Sequence, residues 1–167
     1  MREPGELNNA TIKVIGVGSI GCAALDDLIE HGLLGAELFA IHSDEEILKR
    51  NKAPGKLQSG TSLVPGSKTA RNTDLQLAAV ENGREQVTHF ISGADMLIVI
   101  AGMDDSILDG AAGITVRLAH DMNILCIAVV VAPFARDDAR LAAVSQQCEA
   151  LIKYADMLLV VPDEQTI

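Results

Sequence analysis

Residues 12–21 read IKVIGVGSIG, a short β-branched run passing into a glycine-spaced turn, and the residues up to Gly32 carry helical apolar spacing. Strand, glycine turn and helix in that order build a cradle for a nucleotide phosphate. In such a layout the first glycine, Gly16, permits the tight turn, and the second, Gly18, lets backbone N–H groups approach a phosphate. The third, Gly21, lets the helix start close against its strand. Taken alone the pattern is a weak signal, so its meaning depends on the rest of the chain.

The remainder alternates strand and helix. After the strand at 11–16, Ala24, Leu25, Leu28 and Ile29 form one helical stripe and Gly32 supplies a stop. A strand at 36–42 follows, and then Ser43 opens a short helix with Glu46 three residues on, the capping-box spacing. Residues 53–71 are rich in Gly, Pro, Ser and Thr and read as a long surface loop with one short strand. A helix capped by Asn72 or Thr73 runs to about residue 92. Beyond it come a strand at 95–101, an irregular turn at 102–110, a helix at 110–122, a strand at 124–131, a helix at 137–154 and a strand at 156–162. The segments ADMLIVI at 94–100 and ADMLLVV at 155–161 are near copies, which reads as two strands meeting the same demand in one sheet. The run ILCIAVVVAPFA at 124–135 is continuously apolar, as a central strand covered on both faces must be. Strands spaced by helices of this length predict an α/β fold, a doubly wound, mainly parallel sheet in three layers.

Composition narrows the partners. At 167 residues and 49% apolar, the chain has the material for one domain, with residues 1–10 expected to be flexible. The net charge is −10 and the aromatics are three Phe and one Tyr. Nucleic acid and anionic membranes, which select clustered Lys and Arg, are therefore not expected partners. No apolar run approaches the roughly 20 residues needed to span a bilayer, and the start MREPGELNN lacks an export signal. Cys22, Cys126 and Cys148 are odd in number and lack C-x-x-C spacing, so they read as reduced core residues of a cytoplasmic protein.

Seven segments together resemble the N-terminal, nucleotide-binding half of FtsZ, the bacterial tubulin-like division GTPase. They are IKVIGVGSIG at 12–21, GLLGAELFAIHSD at 32–44, the long loop leading to Asn72, GADMLIVIAGM at 93–103, GAAGITVRLA at 110–119, VVVAPF at 129–134 and ADMLLVVPD at 155–163. The resemblance covers nearly the whole chain, with order and spacing kept. It implies a tubulin-type fold with GTP or GDP lying across the carboxyl ends of the strands, and magnesium only where nucleotide binds. The contacts it implies are Gly16, Gly18, Ser19 and Gly21 in the first turn, Ser43 and Asp44 after the second strand, and Asn72 in the loop. Gly102, Met103, Asp104 and Gly110 bracket the turn after the next strand, and Asp137 stands where the family has a ribose-contacting glutamate. The partners it implies are a second copy or an FtsZ-like filament protein.

Departures from the family are concentrated where phosphate would bind. The family's turn after Ala-Gly-Met is nearly all glycine and threonine, whereas this chain reads Asp104, Asp105, Ser106, Ile107, Leu108, Asp109, Gly110. Glycines there would admit positive φ and bring amides to the β- and γ-phosphates; β-branched Ile107 does neither well. A carboxylate about 6 Å from a phosphate charge costs on the order of 1–3 kcal/mol, so binding weakens roughly tenfold or more. Two other readings of these aspartates are capping of the helix that begins near Gly110 and a divalent cation held by Asp104, Asp105 or Asp109. In the first turn, Ser19 and Ile20 replace glycine and Cys22–Ala23 replace Gly-Asn, while His42 stands where the family has Asn. An isoleucine there either intrudes on the nucleotide or packs inward. His42, beside a strand end, reads first as a satisfied structural residue.

The sequence ends at Ile167, where the family continues into a base-contacting helix, an acidic loop that activates water in a neighbouring subunit, and a second domain. GTP hydrolysis by that route is not expected without those carboxylates, and no catalytic residue is assigned. The four histidines show no metal-ligand spacing with cysteine, and the serines lack a nucleophile-elbow context. The expectation is an FtsZ-like assembly or interaction protein with a degenerate GTP site. The alternative is a small Rossmann-type enzyme binding NAD or another nucleotide through Gly16-x-Gly18-x-x-Gly21, with Asp44, slightly late for the role, holding the ribose.

Overall fold

The computed structural model describes residues 10–58, 83–102, 111–133 and 138–163. Its strands are β1 (Ile12–Val17), β2 (Ala36–His42), β3 (Gly55–Gln58), β4 (Met96–Gly102), β5 (Leu125–Pro133) and β6 (Met157–Asp163). The helices are α1 (Gly18–Glu30), α2 (Glu45–Arg50), α3 (83–91), α4 (Ala111–Asp121) and α5 (Asp138–Ile152). All six strands are parallel, in the order β3-β2-β1-β4-β5-β6. The doubly wound parallel sheet read from the sequence is therefore what forms, and β3 is the short strand expected within the Pro/Gly-rich stretch. The beginning of α3 at Asn72 or Thr73 lies outside the described residues.

Alternation along each strand sorts side chains between two cores. One face buries Ile15, Phe39, Ile41, Leu97, Val99, Cys126, Ala128 and Val130 beneath Val87 and Ile91 of α3, Val116 and Ala119 of α4, and Leu151 of α5. The other buries Val14, Leu38 and Ala40 beneath Cys22 and Leu25 of α1 and Leu48 of α2. This gives the three layers. On the α1 side the covering stops short of the β6 edge: Leu125, Met157, Leu159 and Val161 are exposed large apolar residues in adjacent strands.

The near-copied ADM segments meet the same structural demand. The Asp95 carboxylate accepts from the Thr11 N–H at 2.7 Å, while the Asp95 N–H donates to the Thr11 carbonyl at 2.9 Å. Asp156 repeats this on Cys126, accepting its N–H at 2.8 Å and donating to its carbonyl at 2.9 Å. Each aspartate thus fastens the start of its strand to the neighbouring one. At the same end of the sheet the buried Lys13 donates to the Phe90 and Ser92 carbonyls, satisfying orphan groups at the α3 C-terminus, and pairs with Glu37 at 3.3 Å.

Two caps refine the sequence reading. Gly32, at φ +78°, donates to the Ile29 carbonyl while Leu33 donates to Leu28, a left-handed ending at the expected stop. The short helix opens one residue later than expected: Asp44, not Ser43, is the N-cap of α2, its carboxylate accepting from the Glu46 N–H at 2.8 Å. A carboxylate in the extended N-cap position reaches the N2 amide directly, leaving the capping box unused.

Candidate functional site

Strand order reverses between β1 and β4: β2 and β3 lie to one side of this pair, β5 and β6 to the other. The crevice outside the carboxyl ends of β1 and β4 is thus the topological switch point, where doubly wound sheets bind ligands. Gly16, Gly18, Ser19 and Gly21 converge there with Gly102, the last residue of β4.

Their roles differ from the sequence assignment in one respect. Gly18 is the turn residue, with φ +75° and no atom within 4 Å of where a Cβ would stand. Gly16 has no positive φ; it is required by close approach, since a Cβ there would stand 2.3 Å from the Gly21 carbonyl oxygen. Gly21 packs α1 onto the sheet as expected, its absent Cβ falling 2.4 Å from the Ile100 carbonyl oxygen. The N-terminus of α1 faces this opening bare. Its N-cap, Val17, makes no side-chain hydrogen bond and no acidic residue occupies the first turn. Orphan amides, the positive end of the helix dipole and open space beside Gly18 together fit a phosphate.

Ile20 resolves the choice left by the sequence. Its side chain lies over Gly102, with Cδ1 only 2.4 Å from where a Gly102 Cβ would stand, so it packs between α1 and the end of β4. Gly102, the last described residue before the aspartate-bearing stretch, therefore stands beside the cradle.

A hydrogen-bond chain links the first turn of α1 to the end of β2, beside the crevice. Ser19 Oγ lies 2.9 Å from His42 Nε2, and His42 Nδ1 accepts the Asp44 backbone N–H at 2.8 Å. His42 is buried at the end of β2, with both ring nitrogens engaged, which is the structural reading expected of it. The Asp44 carboxylate caps α2, the dipole role that competes with ribose binding. The Ser19–His42 pair was not legible from sequence. The two lie just beyond Val17 and Ile41, partners in the parallel register, and nothing local announces that register.

Of the other sequence candidates, Ser43 follows β2 and is exposed. Asn72, Met103, Asp104, Asp105, Asp109, Gly110 and Asp137 lie outside the described residues. Among those described, no cluster of metal-binding side chains occurs and no helix is long and apolar enough to cross a membrane. All three cysteines are free. Burial pushes the Cys22 thiol up to about 11, aided by the Asp26 carboxylate and opposed by a hydrogen bond with Ile41. Cys126 is pushed up to about 12 by burial and then by Asp156. Neither is a reactive thiolate at neutral pH.

Comparison with known proteins agrees with this geometry. Residues 11–167 match the family model described as Tubulin/FtsZ family, GTPase domain. The cell division protein FtsZ of Neisseria meningitidis serogroup A is 33% identical over 156 residues, covering 93% of this chain and 40% of the relative; the serogroup B protein matches equally. This chain thus spans about two fifths of those relatives' length. Among solved structures, the empty FtsZ dimer of M. jannaschii superimposes with a TM-score of 0.75 at 28% identity, over 93% of this chain and 46% of that one. CetZ from Methanosaeta thermophila, at 17% identity, shares the fold with a TM-score of 0.64 over 90% of this chain and 45% of its own. With a six-stranded parallel sheet, a glycine cradle at its switch point and a family match running from Thr11 to the last residue, the chain belongs to the Tubulin/FtsZ family.

Proposed function

We propose that this chain acts as an FtsZ-like assembly or interaction protein in which the GTP cradle persists but the phosphate site is degenerate. Guanine nucleotide binds weakly, with magnesium accompanying it only when it binds, and hydrolysis is not supported. The observation that carries this reading is the sequence Asp104–Gly110. It begins two residues after Gly102, and Gly102 lies beneath Ile20 at the mouth of the cradle. Three carboxylates entering the chain at that point replace glycine amides that would otherwise face the terminal phosphates. Each one within about 6 Å of a phosphate charge removes on the order of 1–3 kcal/mol of binding.

Self-association, or association with an FtsZ-like filament protein, is supported by the fold shared with relatives described as cell division proteins and with one solved as a dimer. The exposed apolar residues Leu125, Met157, Leu159 and Val161 give the sheet a contact-competent face.

Calorimetric titration with GTP and GDP, with and without magnesium, tests the reading, alongside phosphate release and sedimentation in the same buffers. The expected result is a Kd weaker than about 100 μM, set by one or two adverse charges, and phosphate release at the blank rate. Micromolar GTP affinity would refute the degenerate site.

A further inference from the structure

We infer that Ser19 offers its hydroxyl hydrogen to a phosphate oxygen of bound guanine nucleotide, and that His42 is the positioning residue that leaves this hydrogen free. The inference rests on the nucleotide reading of the cradle and adds to it the pairing of two side chains.

Hydrogen-bond polarity gives the argument. A backbone N–H can only donate, so the Asp44 amide at 2.8 Å makes His42 Nδ1 an acceptor without a proton. The neutral ring must then carry its hydrogen on Nε2, the nitrogen 2.9 Å from Ser19 Oγ. That N–H donates into the Ser19 oxygen, which leaves the hydroxyl hydrogen to point away from the imidazole. The opposite tautomer would set two N–H groups against each other at Asp44. His42 is buried while Ser19 is exposed, so the free hydrogen faces the solvent side of the pair. It stands in the first turn of α1, among amides that no side chain caps and beside the open space at Gly18. A phosphate drawn to these amides meets one further donor, and an O–H donated to an anionic oxygen is among the stronger hydrogen bonds.

The test uses the full chain. Long-range nitrogen–proton NMR of the nucleotide-free protein reads the His42 tautomer, and amide-shift titrations with GTP and with GDP give affinities into the millimolar range. Wild type is compared with Ser19→Ala, His42→Asn, which keeps an acceptor for the Asp44 amide without reaching Ser19, and His42→Gln, whose amide can donate to Ser19 in place of Nε2. Urea unfolding confirms that each variant is folded. The expected results are the Nε2–H tautomer and about a tenfold loss of affinity in Ser19→Ala and in His42→Asn. The double variant should be no worse than either single one, and His42→Gln should recover most of the loss. The inference is overturned by the Nδ1–H tautomer, by Ser19→Ala binding like wild type, by additive losses, or by wild type binding neither nucleotide at millimolar concentration. That last result leaves the degenerate-site reading standing. Conversely, tight micromolar binding that Ser19→Ala weakens removes the degenerate-site reading while supporting the role given to Ser19.

Discussion

At the scale of single residues, the three cradle glycines do different work although they share one motif. Gly16 and Gly21 are held by van der Waals exclusion, because each would drive a Cβ into a backbone carbonyl at 2.3 and 2.4 Å respectively. Backbone cannot yield as the tip of a side chain can, so relief requires α1 to lift from the sheet. Gly18 faces open space and is held only by its φ of +75°. Gly21→Ala should therefore cost about 3 kcal/mol or more, whereas Gly18→Ala should cost about 1–2 kcal/mol, the left-handed penalty alone. Urea unfolding midpoints of the two variants check the ranking, and equal costs would contradict the packing role of Gly21. Of the candidate residues, these glycines were the most legible in sequence, because glycine spacing encodes backbone geometry directly. The hydrogen bond of Ser19 to His42 was not, since it joins residues 23 apart through a strand register.

At the scale of elements, the repeated aspartates show a sequence regularity becoming a tertiary tie. Asp95 and Asp156 each hold the first residues of a strand to its neighbour, but in different surroundings. The bond to Thr11 is exposed, while the one to Cys126 reaches a residue with no solvent exposure. Removing a partner from a buried N–H costs about 1–3 kcal/mol, whereas water replaces an exposed one. Asp156→Ala should thus lower stability by about 2 kcal/mol and Asp95→Ala by less than about 1 kcal/mol, measured by thermal or urea unfolding. Hydrogen exchange at the Cys126 amide should rise in the first variant, locating the loss at the β5–β6 junction. The shared ADM triplet was visible in the sequence as a common demand. What the demand consisted of required knowing that β4 follows β1, and β6 follows β5, across the sheet.

At the scale of the whole molecule, stability is divided between two cores on opposite faces of one sheet, and each contains a buried thiol. Cys22 is on the buried face of α1, against the sheet, and Cys126 lies in β5 beneath α4 and α5. Their folded pKa values, about 11 and about 12, stand above the ordinary 9.0. The neutral thiol is therefore favoured in the fold, and this contribution is complete below pH 9. It is lost as pH rises through the window up to 11 and 12, because the unfolded chain ionises first. Near pH 10 the loss is on the order of 1 kcal/mol for each thiol. Urea unfolding from pH 8 to 10.5 should show a steady decline that flattens in a Cys22→Ala, Cys126→Ala variant, and an unchanged slope would place the cause elsewhere. The two-core arrangement also explains the uneven surface: α1 and α2 cover the β1–β2 side of their face, while Leu125, Met157, Leu159 and Val161 remain exposed toward β6.

The sequence by itself determined the class of fold, the position of nearly every strand and the glycine cradle, because hydrophobic period and backbone permissiveness are written residue by residue along the chain. It also carried the carboxylates of Asp104, Asp105 and Asp109, since charge needs no fold to be recognised. Only the tertiary structure decided that β1 and β4 adjoin at the switch point, that Ile20 rests on Gly102, that Asp44 caps α2, and that His42 turns toward Ser19. Except for the Asp44 cap, a local bond to Glu46, each of these depends on which strands pair and in what register. Pairing is chosen by burial summed over the whole sheet, a long-range quantity that no local window of residues contains.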